Sequence, residues 1–327
     1  MSKAAPYAGL TPDRILDAVD CTGLRCDGRL LALNSFENRV FQIGLDDGSQ
    51  IVAKFYRAGR WSDAAILEEH RFTLELAARE IPVVPPRVIG AKTLHMHGGQ
   101  RFAVFDRHGG RAPEFDQPET LEWMGRFLGR IHAVGTLESY AARPALDIAG
   151  FGVEPRNFIR AGGFVPADLE DAWLSVVDQA IDGVTRCFER AGTVTALRLH
   201  GDCHQGNVLW TPAGPHFVDF DDSRSGPAVQ DFWMLLSGDE AAMGVQLGYL
   251  LRGYEQFREF DDRELNLIEA LRTLRLIHHS AWIARRWDDP AFPAAFPWFG
   301  TARYWQDRIL ELREQIALMD AEPIRPV

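Results

Sequence analysis

Short apolar runs separated by turn residues mark the first hundred residues, with a clear period of two over residues 39–45. Residues 29–33 (Arg-Leu-Leu-Ala-Leu) read as a strand, Asn34 to Asn38 as a turn, and residues 39–45 (Arg-Val-Phe-Gln-Ile-Gly-Leu) as a second strand closed by Asp46-Asp47-Gly48. Residues 50–56 form a third strand carrying Lys54, and residues 101–106 (Arg-Phe-Ala-Val-Phe-Asp) a further one. Between them the period changes to that of a helix over 62–79, with Ser62 or Asp63 as its cap and Ile81-Pro82 ending it.

Beyond residue 107 the pattern is mainly helical, over 118–134, 166–191, 241–260, 262–287 and 301–319, with an apolar helix predicted from Val229 to Leu236. One hairpin interrupts it. Val208-Leu209-Trp210 is a short strand, Thr211 to Pro215 a turn cluster, and Phe217 to Phe220 the returning strand. Two lobes follow: residues 1–106 with a small, mainly antiparallel sheet and one helix, and residues 107–327, largely helical. The class is α+β, with the Gly-containing stretch 107–111 as the boundary. The aromatic, proline-rich segment from Trp287 to Phe299 is core packing by default, with a lid or acceptor-side surface as the alternative.

Composition narrows the partners. The chain has 327 residues and a net charge of −11. Lys plus Arg balances Asp plus Glu in residues 1–106, so the surplus lies entirely in 107–327. No basic tract suits nucleic acid. An acidic second lobe favours a cationic acceptor, with plain solubility as the bland reading. No apolar run reaches the roughly eighteen residues of a membrane span, and the N-terminus lacks a signal core, so a cytoplasmic setting is expected. The four cysteines form no C-x-x-C pair. His132 reads as a hydrogen-bonded structural histidine.

The chemistry concentrates in residues 200–219. Asp202 follows His200-Gly201, Asn207 lies five residues on, and Asp219 leaves the hairpin as Asp219-Phe220-Asp221. The hairpin brings Asn207 and Asp219 to one end, where two hard oxygen ligands can hold Mg²⁺ on the phosphates of ATP. Asp202 then accepts the proton of an attacking hydroxyl, and Asp221 assists a second metal. A lysine on the third strand, Lys54, contacts phosphates. Its ion-pair partner is expected on the apolar face of the helix over 62–79. Glu69 lies there, with Ile66, Phe72 and Leu76, whereas Glu68 falls on a wet stripe with Glu75. The turn at 34–38 lacks the G-x-G-x-x-G of protein kinases, leaving Ser35 and backbone N–H groups to meet phosphate. Asp231 is expected to cap its helix or orient the catalytic loop.

The stretches LNSFENRVFQI, VAKFYRAGRWSDAAILEEH, RLHGDCHQGNVLW, FVDFDDSRSGPAVQDFWMLLSGD and RRWDDPAFPAAFPWF together resemble the bacterial stress response kinase A family. That family lies within the aminoglycoside phosphotransferase and choline kinase group and shares its protein-kinase-like fold. The resemblance covers nearly the whole chain. It implies ATP- and Mg²⁺-dependent phosphorylation of protein serine and threonine, a cytoplasmic setting and a role in stress survival; a monomer is the expected state. It places Asp202 as proton acceptor, Asn207 and Asp219 as magnesium ligands, and Ser35 in the ATP site. Two alternatives stay open: a kinase of small hydroxylated cations, and a non-catalytic ATP-binding regulator.

Overall fold

The computed structural model describes Pro6, Tyr7 and residues 9–327. In chain order the elements are α1 (Pro12–Asp20), β1 (Cys26–Leu33), β2 (Arg39–Leu45), β3 (Gln50–Phe55), α2 (Asp63–Ala78), β4 (His95–His97) and β5 (Gln100–Asp106). Then come α3 (Pro118–Gly135), α4 (Glu154–Gly162), α5 (Glu170–Ala191), β6 (Leu197–Arg198), β7 (Val208–Thr211), β8 (Gly214–Phe217) and β9 (Ser225–Gly226). The chain ends in α6 (Gln230–Trp233), α7 (Glu240–Tyr254), α8 (Ile268–Ala284), α9 (Ala291–Ala295) and α10 (Ala302–Asp320). Two compact units result. One gathers residues up to Pro113 with Tyr140–Arg143 and Gln205–Ser223; the other holds Glu114–Ser139, Pro144–His204 and Arg224–Val327.

The first unit is built on a sheet in the order β1-β2-β3-β5-β4, every pairing antiparallel. Period-two alternation puts Ile43, Ile51, Ala53, Phe55, Phe102 and Val104 in one core, where the Phe55 and Phe102 rings stack at 5.2 Å. Burying each phenylalanine is worth about 1.5–3 kcal/mol. Helix α1, not anticipated from the sequence, closes this core with Ile15, Ala18 and Val19. Its start signal is Thr11-Pro12-Asp13: the Thr11 hydroxyl accepts from the Arg14 N–H, and Pro12 occupies the first turn. Helix α2 starts as expected, with Ser62 Oγ accepting from the Ala65 N–H. β7 and β8 form the anticipated hairpin, with a tighter turn than predicted: the strands stay paired to Thr211↔Gly214. The Thr211 hydroxyl stabilises that turn by accepting from the Ala213 N–H and donating to the Gly214 carbonyl.

The second unit is helical. α5, α8 and α10 enclose a core in which Trp173 and Trp305 meet edge to face at 5.8 Å. Phe292 and Phe299 of the proline-rich segment are buried, and Trp287 packs on Phe299 at 5.0 Å, so core packing accounts for most of its aromatics. The apolar helix expected over 229–236 is only the short α6. α3 and α7 approach so closely that small residues are obligatory. A Cβ on Gly125 would run into the Leu250 carbonyl oxygen, and one on Gly253 into that of Glu122. Among the described residues, no helix is long and apolar enough to cross a membrane.

Gly125→Ala is expected to destabilise by about 1–3 kcal/mol, because a backbone carbonyl cannot step aside as a side chain can. Gly300→Ala, where a Cβ meets nothing within 4 Å, is the control. Thermal unfolding of both variants decides it; equal midpoints would remove the steric account of the α3–α7 contact.

Candidate active site

Lys54 sits mid-sheet, opposite Val40 on β2 and Ala103 on β5, and is 7% exposed. Burial alone would push its ammonium towards neutrality. The carboxylates of Asp219 and Asp221, with oxygens 2.8 and 3.2 Å from Nζ, outweigh that and raise its pKa well above the ordinary lysine value.

The β7–β8 hairpin delivers those carboxylates. Val208 pairs with Phe217, and the Val218 N–H donates to the Asn207 carbonyl at 3.0 Å, which puts Asn207 and Asp219 at the same end of the hairpin. Asp219 adopts a left-handed backbone, φ 59° and ψ 62°. For a non-glycine residue that costs on the order of 1–3 kcal/mol, a strain typical of positions where geometry matters more than comfort. Its side chain stays about half exposed, while that of Asp221 is buried. Burial raises the Asp221 pKa, but Arg60 and Lys54 prevail and hold it down at about 2. Arg60 bonds Asp221 and Asp222 and lies 3.5 Å from Glu37.

Glu69 is buried on the expected face of α2, yet the expected ion pair with Lys54 is not closed. Lys54 is engaged by the two aspartates, and the cation nearest Glu69 is Arg143, 3.8 Å away. Burial pushes the Glu69 carboxyl up to about 7, with Lys54 and Arg143 pulling the other way. Glu68 departs further from expectation. Far from facing water, it is 8% exposed and accepts from the backbone N–H groups of Ala141, Ala142 and Arg143 at 2.8–3.1 Å. Helical periodicity assigned it to the wet stripe because the segment covering it comes from over seventy residues away in sequence. Arg143, held by this clasp, donates to the carbonyls of Ala65, Asp221 and Ser223, each at 2.8 Å. Ser35 closes its own turn by donating to the Asn38 carbonyl at 3.0 Å.

Arg60, Glu37 and Arg143 are the participants that sequence reasoning missed. Arg60 lies a few residues past the Lys54 strand, so its closeness in sequence is the signal that marks it. Nothing local marks Arg143, whose partners all lie far along the chain.

In the second unit, the ribbon of β6 and β9 fixes the approach to Asp202, and the Leu199 N–H continues it by donating to the Arg224 carbonyl. Asp231 organises the loop from within. Its buried carboxylate accepts from the His200 and Gly201 N–H groups, each at 2.8 Å, and lies 3.0 Å from His132 Nε2. His132 is the structural histidine expected, with Nδ1 3.1 Å from the Tyr254 hydroxyl. Asp202 emerges from this frame with Oδ1 2.6 Å from Arg275 Nη1 and Oδ2 3.5 Å from His204 Nε2. Cys203 is buried, and all four cysteines are free thiols.

Among the described residues, no group of three or more His, Cys, Asp or Glu is arranged to hold a metal. The donors at the hairpin end are instead an amide oxygen and carboxylates, Asn207 and Asp219 with Asp221 beside them. Such a sparse, hard set suits a divalent cation that keeps water and phosphate oxygens in its shell.

The model of the phosphotransferase enzyme family matches residues 29–268. A stress response kinase A of Escherichia coli strain K12 is 44% identical over 324 residues, covering 99% of this chain and 98% of the relative. A serine/threonine protein kinase RdoA of Salmonella typhimurium strain LT2 is 42% identical, covering 98% and 97%. Among solved structures, an amicoumacin kinase, hAmiN, in complex with AMP-PNP, Ca²⁺ and Ami has a TM-score of 0.73 at 20% identity, covering 96% of this chain and 95% of that one. A microcompartment-associated aminopropanol kinase reaches 0.68 at 18%, covering 94% and 96%. At such identities these two establish the fold alone, the two-lobed protein-kinase-like one. The family match across most of the chain, and relatives above two-fifths identity along nearly all of it, show that this chain belongs to the phosphotransferase enzyme family and, within it, to the stress response kinase A group.

Proposed function

We propose that this phosphotransferase uses Mg·ATP to phosphorylate serine and threonine hydroxyls of proteins during a bacterial stress response in the cytoplasm. The observation that carries the reading is similarity over almost the full length to proteins named stress response kinase A and serine/threonine protein kinase RdoA. The competing reading, a small hydroxylated acceptor, draws on the names of structural neighbours such as the aminopropanol kinase, at identities of 20% or less. Labelled-ATP transfer to generic protein substrates and to a panel of small cationic alcohols, run side by side, separates them. Label on the alcohols alone would sink the protein reading.

The roles follow from residue chemistry. Lys54 supplies fixed positive charge to the nucleotide phosphates. Asn207 and Asp219 would hold the divalent cation, which when bound offsets phosphate charge, with Asp221 a candidate for a second ion. Backbone donors of the turn over 34–38, closed by Ser35, face phosphate. Asp202 orients the acceptor. Its carboxylate takes the hydroxyl proton as the oxygen bonds to the γ-phosphorus, and ADP departs with the electron pair of the broken P–O bond. Residues 1–106 would carry nucleotide binding and residues 107–327 acceptor binding, in a monomer. Retention of Lys54, Asp202, Asn207 and Asp219 together argues against a non-catalytic regulator.

Asp202→Asn is expected to lower transfer by roughly 10²–10⁴-fold with Mg·ATP affinity near wild type; single-turnover kinetics with calorimetry test this, and undiminished turnover removes Asp202 from the role. Asp219→Ala is expected to abolish metal-dependent ATP binding, and Asn207→Ala to weaken it. Unchanged affinity of the Asp219 variant in a magnesium titration would rule out its ligand role.

Glu69 predicts a pH dependence of stability. Its carboxyl ionises near 4.5 ordinarily and at about 7 in the folded protein. Between those values the folded state keeps a proton that the unfolded chain has released, so stability is full below the lower value and is lost as pH rises through the upper one. Glu69→Gln is therefore expected to gain thermal midpoint relative to wild type, by on the order of a few degrees, between pH ~4.5 and ~8. A constant difference across that range would show that Glu69 ionises normally.

A further inference from the structure

We propose that the acceptor is recognised through an anionic group beside its hydroxyl, by a pocket in which Arg272 and Arg275 are the charged determinants. The inference rests on the protein-kinase reading and names the class of peptide that reading leaves open. The pocket lies wholly within the helical unit and is a shallow, open depression of about 400 Å³. Its charged lining is Arg272 and Arg275, with the His204 ring beside them, and none of its lining residues is a carboxylate. The remaining lining includes Trp233, Met234 and Met243, apolar surface suited to a peptide backbone or side-chain stem.

Its place beside the chemistry comes from Arg275. Nη1 of that residue lies 2.6 Å from Asp202 Oδ1, and His204 lies 3.5 Å from the other carboxylate oxygen. A hydroxyl presented to Asp202 therefore brings its flanking groups towards the Arg275 guanidinium. Arg275 is about half exposed, and a guanidinium carries five N–H donors, so the bond to Asp202 leaves a fork for a carboxylate or phosphate. Arg272 is set more firmly. Its Nη1 bonds Glu269 at 2.9 Å, its Nη2 donates to the Met243 sulfur at 3.2 Å, and the guanidinium lies 5.8 Å over the Trp233 ring. A thioether is a weak acceptor, so that second nitrogen gains by meeting an anion. Glu269 and Asp202 each offset one arginine from outside the lining.

This reverses the expectation from bulk charge. The second lobe carries the whole negative surplus of the chain, which favoured a cationic acceptor, yet the lining beside Asp202 has the opposite sign. A lysine-flanked hydroxyl would meet like charge there, and an acidic one a bidentate partner.

The test uses the full-length enzyme and serine peptides differing only in the flanking residue: glutamate, phosphoserine, glutamine or lysine. The wild type is expected to favour the acidic peptides over the glutamine peptide by at least ~10-fold in kcat/KM, mostly through KM, with lysine last. A ten-fold preference corresponds to ~1.4 kcal/mol. Arg272→Gln and Arg275→Gln are each expected to bring the acidic-to-neutral ratio towards one. The ratio is the readout because Arg275 also touches Asp202 and its loss alters turnover for every peptide. Thermal midpoints confirm that both variants fold. A stronger response to phosphoserine marks a primed acceptor and to glutamate a plain acidic one; either supports the inference. Preference for lysine, or a ratio unmoved in both variants, overturns it. If no peptide is phosphorylated, the protein-kinase reading fails separately, and binding of alanine-for-serine peptides decides the pocket. Acidic-selective binding lost in both variants upholds it, and no selective binding refutes it.

Discussion

A lysine ammonium taken out of water in the middle of a sheet must be neutralised, and much of the first unit is arranged around that requirement. Leaving one member of a buried ion pair uncompensated costs about 3–5 kcal/mol, a large part of the stability of an ordinary domain. Lys54 meets the demand with two aspartates from a distant hairpin. The buried aspartate needs cations in turn, which Arg60 and Arg143 provide, and Arg60 draws in Glu37. The left-handed backbone at Asp219 is tolerated within this network. The hairpin, the first half of α2 and the segment at 140–143 are thus held by a single account of charge.

The second unit reaches a similar end by different means. Asp231 is fully buried and compensated by directed hydrogen bonds from two backbone N–H groups, with His132 alongside. A carboxylate in such a cradle fixes the path of the chain at His200 and Gly201, so Asp202 projects from a rigid base. A shared fold does not by itself fix the acceptor, and the cradle around Asp231 says nothing of its kind.

What was legible in the chain was whatever is local. β2, β3, β5 and α2 announce themselves by periodicity, and the β7–β8 hairpin by apolar runs around a proline and glycine turn. The order Asp202, Asn207, Asp219 needs only the spacing that a hairpin imposes. The missing parts depended on distant partners. Glu68 and Glu69 are adjacent, and helical phase alone made one wet and one dry; the arrival of residues 141–143 buried both. The partner of Lys54 was sought on the helix, because nothing in the sequence shows that two carboxylates from the hairpin lie nearer. α1 was missed for a different reason: its apolar face shows only in combination with the sheet it covers. The sign of the pocket beside Asp202 was hidden as well, since net charge averages over a surface whose pockets are local.

The first unit is not a contiguous piece of chain, and this bears on how the protein is made. The partner that neutralises Lys54 lies 165 residues further on, and the clasp on Glu68 is some seventy residues away. On the ribosome, the five strands and α2 emerge long before Asp219 and Asp221. Until residue 223 has cleared the exit tunnel, the nascent sheet carries an ammonium without its counter-ions and a helix with two glutamates that lack their mature surroundings. Synthesis therefore cannot finish one unit and then begin the next. The amino-terminal sheet depends on a segment encoded 165 codons beyond its lysine, and a fragment ending at residue 113 would carry the strand of the lysine without the means to bury it.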